Sequence, residues 1–222
     1  MRIAVIGTGN VGKALATSLV RAGHQVTLSA RNAETTSQVA TEVGASASAT
    51  PREAVEAADV VVLAVPFVAS GEDVAAAIGP VAGTKVVIDA TNPVRPDYSG
   101  LATEGGPSAA EQFATWLPGA KVVKSFNTLF ASLQAEPTAI DVSVDALYAT
   151  DDEGARATVA ELIESIGFRP VYAGPLARAR ELEALAWLNI QLQVLHQGDW
   201  RSTFTLVNAP AGAVSAPVAP AR

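Results

Sequence analysis

Residues 2–29 read RIAVIGTGNVGKALATSLVRAGHQVTLS, and the order of residue types in this stretch decides the fold. Ile3 to Ile6 is an all-apolar run of strand length, as a parallel strand buried on both faces requires. It breaks into Gly7, Gly9 and Gly12, spaced G-x-G-x-x-G. Gly7 allows the tight turn out of the strand. Gly9 lets backbone approach a pyrophosphate with no Cβ in the way, and Gly12 lets the following helix pack close to the sheet. Lys13 to Ala22 then carries Leu15, Leu19 and Val20 at helical spacing, Gly23 stops it, and Gln25 to Leu28 is a second strand. Glycine clusters also make ordinary turns, but strand, turn, helix, stop and strand in this order predict a nucleotide-binding βαβ unit. The whole turn, Gly7, Thr8, Gly9, Asn10, Val11 and Gly12, is expected at the cofactor.

The residues after the second strand choose the nucleotide. An Asp or Glu roughly 20 residues beyond the glycines hydrogen-bonds the ribose of NAD, whereas an Arg accommodates the 2′-phosphate of NADP. This chain reads Ser29, Ala30, Arg31, Asn32, with no carboxylate until Glu34. A guanidinium meets a phosphate through two parallel hydrogen bonds, and Ser29, Asn32 and Thr35 can add neutral donors. The expectation is NADP(H).

Composition narrows the remaining classes. At 222 residues and 49% hydrophobic, the chain can bury a sizeable core. Its most apolar window, Val60 to Val65, is strand-sized, so no membrane span is expected. The first strand begins at the N-terminus without a leader pattern, which points to the cytoplasm. With no cysteine there is no dithiol chemistry or thiolate metal site, and any electrons must travel on bound cofactors. A net charge of −7 argues against a nucleic-acid partner. His24 and His196 form no ligand-spaced cluster, and no metal is expected.

Further strands are expected around Ala45 to Ala47, at VVVLAVP after Asp59, at Lys85 to Asp89, at Lys121 to Lys124, at Asp145 to Thr150 and at Phe168 to Tyr172. Thr50 and Ser108 are expected to cap helices, and a helix is read over roughly Glu72 to Ile78. The fold class is α/β, a Rossmann-type doubly wound parallel sheet of about eight strands with a small helical C-terminal portion. Ligands in such sheets bind outside the carboxyl ends of the strands. Ala64, Val65 and Pro66, and Ala90, Asn92 and Pro93, are therefore expected beside the glycine turn. Val94 to Gly106 reads as a mobile loop over the site. Ala177 to Gln197 is a helix apolar nearly all round, which predicts burial against a second subunit in a homodimer. The expected organisation is a nucleotide-binding domain over 1–150, a strand and helix portion closing the acceptor site over 151–208, and an Ala/Pro-rich tail over 209–222.

Taken together, GTGNVGKALA, SARN, VVVLAVP, VVIDATNP, VVKSFNTLFA and LEALAWLN resemble the NADPH-dependent coenzyme F420 reductase family, over nearly the whole chain. That family is similar to the cytosolic domain of the STEAP reductases and, more distantly, to pyrroline-5-carboxylate reductases. The resemblance implies NADP(H) and F420 as cofactors, with direct hydride transfer between nicotinamide C4 and deazaflavin C5. It implies that Thr8 and the Gly7 to Gly12 amides hold the pyrophosphate, and that Arg31 and Thr35 hold the 2′-phosphate. It places Pro93, Phe126, Asn127 and Thr128 around the deazaflavin. The family's Gly-Ser-Arg reads Ser29, Ala30, Arg31 here, so one hydroxyl has moved by a residue. Arg95, Arg178, Arg180 and Arg201 are candidates for the anionic F420 tail. An NADPH reductase of another small-molecule acceptor (imine, quinone, or ferric iron through flavin) and a non-enzymatic NADPH sensor remain as alternatives. A β-hydroxyacid dehydrogenase would need a catalytic Lys on a helix after the sixth strand, and none follows Lys124.

Overall fold

A computed structural model describes residues 1–210, 212 and 213 of the chain. Most of the Ala/Pro-rich tail lies outside the described residues. Eight strands in the described residues form one sheet: β1 (Arg2–Ile6), β2 (Gln25–Ser29), β3 (Ser46–Ala47), β4 (Val60–Leu63), β5 (Val86–Asp89), β6 (Lys121–Ser125), β7 (Asp145–Ala149) and β8 (Arg169–Gly174). Their order is β3-β2-β1-β4-β5-β6-β7-β8. The sheet is the expected doubly wound, mostly parallel one, with a single reversal where β6 pairs antiparallel with β7. The reversal is followed by a parallel β7–β8 pair, so the boundary expected at residue 150 falls between neighbouring strands of one sheet.

Period-two alternation of apolar residues fills both faces. Ile3, Val5, Val60, Val62 and Ile88 pack toward α1 (Asn10–Arg21), α2 (Ala33–Val43) and α7 (Glu153–Ser165). Ala4, Ile6, Val61, Leu63 and Val87 pack toward α3 (Pro51–Glu56), α4 (Phe67–Ala82) and α5 (Ala109–Trp116). A central strand with no polar side, such as β4, has to be sandwiched in this way.

Local chemistry starts the helices where expected. The Thr50 hydroxyl accepts from Glu53 N–H at 3.2 Å. Ser108 and Glu111 form a reciprocal capping box at the start of α5. α4 is longer than its sequence suggests, running through Gly71 and Pro80. Phe67, Gly71, Ala75, Ile78 and Ala82 form its buried stripe, and this burial outweighs the helix-breaking residues. The last helix, α8 (Ala179–His196), follows a 3₁₀ turn at Leu176–Arg178. Its buried side includes Glu183, Asn189 and Gln193, while Leu188, Leu192, Val194 and Leu195 are exposed. α8 thus buries Ala179, Leu182 and Ala186 beside these polar residues and leaves its larger C-terminal apolar residues exposed. A short helix, α6 (Ala131–Ala135), lies between β6 and β7. No helix among the described residues is long and apolar enough to cross a membrane.

Candidate active site

Strand order reverses between β1 and its neighbours β2 and β4, and a cleft of about 410 Å³ opens there, as doubly wound sheets predict. Gly7 has φ +117°, and a Cβ on it would collide with the Ala64 carbonyl. A Cβ on Gly12 would collide with the Gly7 carbonyl, so Gly12 seats α1 against the turn. Gly9 differs from both: an added Cβ would meet no protein atom within 4 Å, although Gly9 lines the cleft. The chain's own packing does not require a glycine there, but a group lying in the cleft would. Gly9 also serves as N-cap of α1 with no side-chain cap, and the first turn holds no acidic residue. The amides that open α1 therefore face the cleft without a side-chain acceptor, the arrangement that binds phosphate.

Arg31, Asn32, Ala64, Val65 and Pro66 line the same cleft with Gly7, Thr8 and Gly9. Arg31 is exposed and has no carboxylate partner among the described residues. Asn32 turns its side chain inward to cap α2, accepting from Thr35 N–H at 2.9 Å. Thr35 is exposed outside the cleft lining. Ser29 corrects an expectation: its side chain is fully buried, its hydroxyl has no partner, and it does not line the cleft. The sequence reading missed Ser70, Asp73, Val74 and Ala77, which α4 brings to the opposite wall. Their spacing marks a helix face but not what that face meets.

A second pocket of about 460 Å³ lies on the other side of the α1 N-terminus, lined by Asn10, Val11, Asn92, Asn127 and Thr128 among others. Its apolar walls come from Val94, Leu129, Phe130, Ile190 and Trp200. Asn92 Nδ2 donates to the Asn127 carbonyl at 2.8 Å, and Asn127 Nδ2 donates to Asn92 Oδ1 and to the Leu182 carbonyl, each at 3.0 Å. Asn127 Oδ1 and Thr128 Oγ1 are buried without a partner. Residues 94–101 close into a hairpin through a Val94–Leu101 bridge, which sets Val94 and Tyr98 in the pocket wall.

Three expected site residues lie elsewhere. Phe126 is in the core beside Phe168, with ring centroids 6.5 Å apart. Its φ of +64° turns the chain so that Asn127 and Thr128, rather than the ring, reach the pocket. Pro93 is buried under the hairpin, its carbonyl accepting from Ala102 N–H, and Val94 takes its place in the wall. Ala90 is buried behind the site, its N–H bonded to the Leu63 carbonyl.

Joined to the second pocket through Thr91 and Asn92 is a charged cluster that the sequence reading did not single out. Lys124, Asp89 and Glu183 have at most 1% exposed side-chain surface and form two ion pairs. Burial pushes the Glu183 carboxyl above its usual range, with Lys124 opposing. A Lys and an Asp near the ends of otherwise apolar strands were the available signal, and the two are register partners. Of the four candidate tail-binding arginines, Arg95 pairs with Glu104, Arg178 with Glu181 and Arg180 with Glu111. No group of three or more metal-ligating side chains occurs among the described residues.

An uncapped helix N-terminus at the switch point of a doubly wound sheet, with a pocket on each side, defines a dinucleotide-binding protein of the Rossmann class. The family model described as NADP oxidoreductase, coenzyme F420-dependent, matches residues 2–93. The chain is 38% identical over 212 residues to the F420-dependent NADP reductase of Methanothermobacter thermautotrophicus, covering 87% of this chain and 90% of that protein. It is 32% identical over 186 residues to metalloreductase STEAP3 of Rattus norvegicus, covering 83% of this chain and 36% of that longer protein. A crystal structure assigned to the F420-dependent NADP reductases, from Arthrobacter sp. FB24, superposes with a TM-score of 0.84 at 30% identity, covering 94% of this chain and 100% of that one. The chain belongs to the F420-dependent NADP reductase family.

Proposed function

We propose that this protein transfers a hydride between NADP(H) and coenzyme F420. The observation that carries the reading is the continuity of two pockets across one helix end: Gly9 lines the first and the adjacent Asn10 the second. A dinucleotide lying over α1 would place its phosphates on the uncapped amides and Thr8, its 2′-phosphate at Arg31, and its nicotinamide beside Asn92, Asn127 and Thr128. When bound, NADP(H) supplies or takes the hydride at nicotinamide C4, with deazaflavin C5 at the other end.

The chain's own residues orient and dry this meeting place. Val94, Leu129, Phe130, Ile190 and Trp200 exclude water, while the unpartnered Asn127 Oδ1 and Thr128 Oγ1 offer hydrogen bonds to a polar ring edge. Such a transfer depends on orientation more than on side-chain proton chemistry. Arg201, next to Trp200 at the pocket wall, is exposed, and its guanidinium has no carboxylate partner among the described residues, unlike those of Arg95, Arg178 and Arg180; its backbone N–H donates to Asp199 Oδ1 at 3.2 Å. It is the cation this reading assigns to the anionic F420 tail.

The reading includes a homodimer, supported by the exposed stripe Leu188, Leu192 and Leu195 at helical spacing on α8. Light scattering at micromolar concentration should give twice the chain mass of 22.7 kDa, and a monomer removes the dimer from the proposal. It also includes the cytoplasm, since both hydride carriers are anionic and do not cross membranes unaided. The direct assay mixes protein, NADPH and F420 and follows bleaching of the deazaflavin band. Bleaching above the protein-free rate is expected; none from mildly acidic to alkaline pH would shift the function to another acceptor.

A further inference from the structure

Lys124, one residue before the end of β6, has no exposed surface, and its Nζ donates to Asp89 Oδ2 at 2.8 Å, to the Thr91 carbonyl at 2.7 Å and to Glu183 Oε1 at 2.9 Å. An ammonium has three protons, and these acceptors use all of them. They belong to three separate segments: the end of β5, the loop after it, and α8. Asp89 Oδ1 accepts from Thr91 N–H at 2.8 Å, so the backbone of Thr91 is held through both its N–H and its carbonyl. The next residue, Asn92, is tied to Asn127, and Asn127 to the Leu182 carbonyl, one residue before Glu183. Glu183 also accepts from Ala109 N–H at 2.9 Å, which joins α8 to α5.

Stability alone does not account for this cluster, because well-packed apolar side chains can replace a buried ion network without loss. What apolar packing cannot supply is three directed bonds from one atom. Lys124 does not line the second pocket, yet every polar wall residue that Asn92 and Asn127 provide is one or two bonds away from it. We infer that Lys124 is a positioning residue for the reaction: it fixes the Asn92–Asn127 wall against the α8 wall, and so sets the separation of the two hydride carriers. The inference rests on the hydride-transfer reading above. Hydride transfer is sensitive to such placement, since a shift of about 1 Å can cost on the order of 100-fold in rate.

Glu183→Leu tests it, because it removes the third acceptor of the Lys124 ammonium while Lys124 and Asp89 remain a balanced pair. NADPH affinity should stay within about 2-fold of wild type, since the first cleft is built from other segments. Turnover should fall about 10- to 100-fold. The primary isotope effect with NADPH deuterated at the transferred position should rise as hydride transfer becomes limiting. If Glu183→Leu does not fold, Lys124→Met/Asp89→Asn/Glu183→Gln, which removes all three charges together and the Lys124 bonds with them, is measured in its place with the same expectation. A folded variant with wild-type turnover and isotope effect overturns the inference. So does a loss of turnover that only tracks the fraction of folded protein and leaves the isotope effect unchanged, which is the signature of a merely structural role. Wild-type protein assayed alongside separates the two levels. If it bleaches F420 and the variant is unaffected, only the inference fails; if it bleaches none, the hydride-transfer reading fails and takes the inference with it.

Discussion

The two pockets that meet at the α1 N-terminus are built by different means. The cleft comes from residues 6–9, 30–32, 51, 64–66, 70, 73, 74 and 77, all N-terminal to β5, and its key features are backbone: a positive φ at Gly7, a missing Cβ at Gly9 and uncapped amides. The second pocket gathers residues 10–11, 92–98, 127–132 and 186–200, and its shape depends on side chains bonded across those gaps. Backbone amides need only the right turn to recognise phosphate, so a short motif is enough. A pocket that must hold one flat ring system against another needs walls fixed from several directions. The difference teaches where substitutions will act: in the cleft they should change affinity, and around the second pocket they should change rate and fold.

The largest expected effect tests the buried cluster joined to the second pocket. Lys124→Met leaves the carboxylates of Asp89 and Glu183 buried without their cation, which should cost about 3–5 kcal/mol of folding stability. Denaturant unfolding measures it, and a loss below about 1 kcal/mol would mean that the pocket is not held by this charge. In the cleft, Arg31→Ala should weaken NADPH binding by about 1.5–3 kcal/mol, roughly 10- to 150-fold, and leave NADH nearly unchanged. Equal losses for both nucleotides would show that Arg31 does not read the 2′-phosphate.

A glycine pair divides fold from function within the cleft itself. Gly7→Ala forces a side chain into a positive φ and against the Ala64 carbonyl, so it should destabilise by about 1–3 kcal/mol or more. Gly9→Ala meets no neighbour and should leave the melting temperature unchanged, while NADPH affinity falls about tenfold, or roughly 1.4 kcal/mol. Undiminished NADPH binding by Gly9→Ala would remove the pyrophosphate from this turn. The smallest effect concerns the partly exposed Arg180–Glu111 pair between α8 and α5. Hydrogen bonding to Arg180 lowers the Glu111 carboxyl from 4.5 to about 2. A lowered acid stabilises above its ordinary value, and that contribution is lost as pH falls from 4.5 toward 2. Glu111→Gln should therefore flatten part of the acid limb of a melting-temperature profile; an unchanged limb would show that the pair does not stabilise the fold.

The sequence by itself determined what local backbone chemistry determines. The order of apolar run, glycine turn and helix placed β1, α1 and β2, the Thr50 and Ser108 caps started α3 and α5, and SARN put Arg31 in the lining of the cleft. Each of these depends on residues a few positions apart, so neighbouring residue types are enough to specify it. Only the tertiary structure decided what depends on partners far along the chain. Ser29, Ala90, Pro93 and Phe126 stand beside pocket residues in sequence but are buried: at Ser29, in β2, alternate positions face opposite ways and register decides which face meets the site, while at Phe126 a φ of +64° turns the ring into the core. α4 runs through Gly71 and Pro80 because burial outweighs propensity. α8 can bury Glu183 because Lys124, 59 residues earlier, provides the charge that makes burying a carboxylate tolerable.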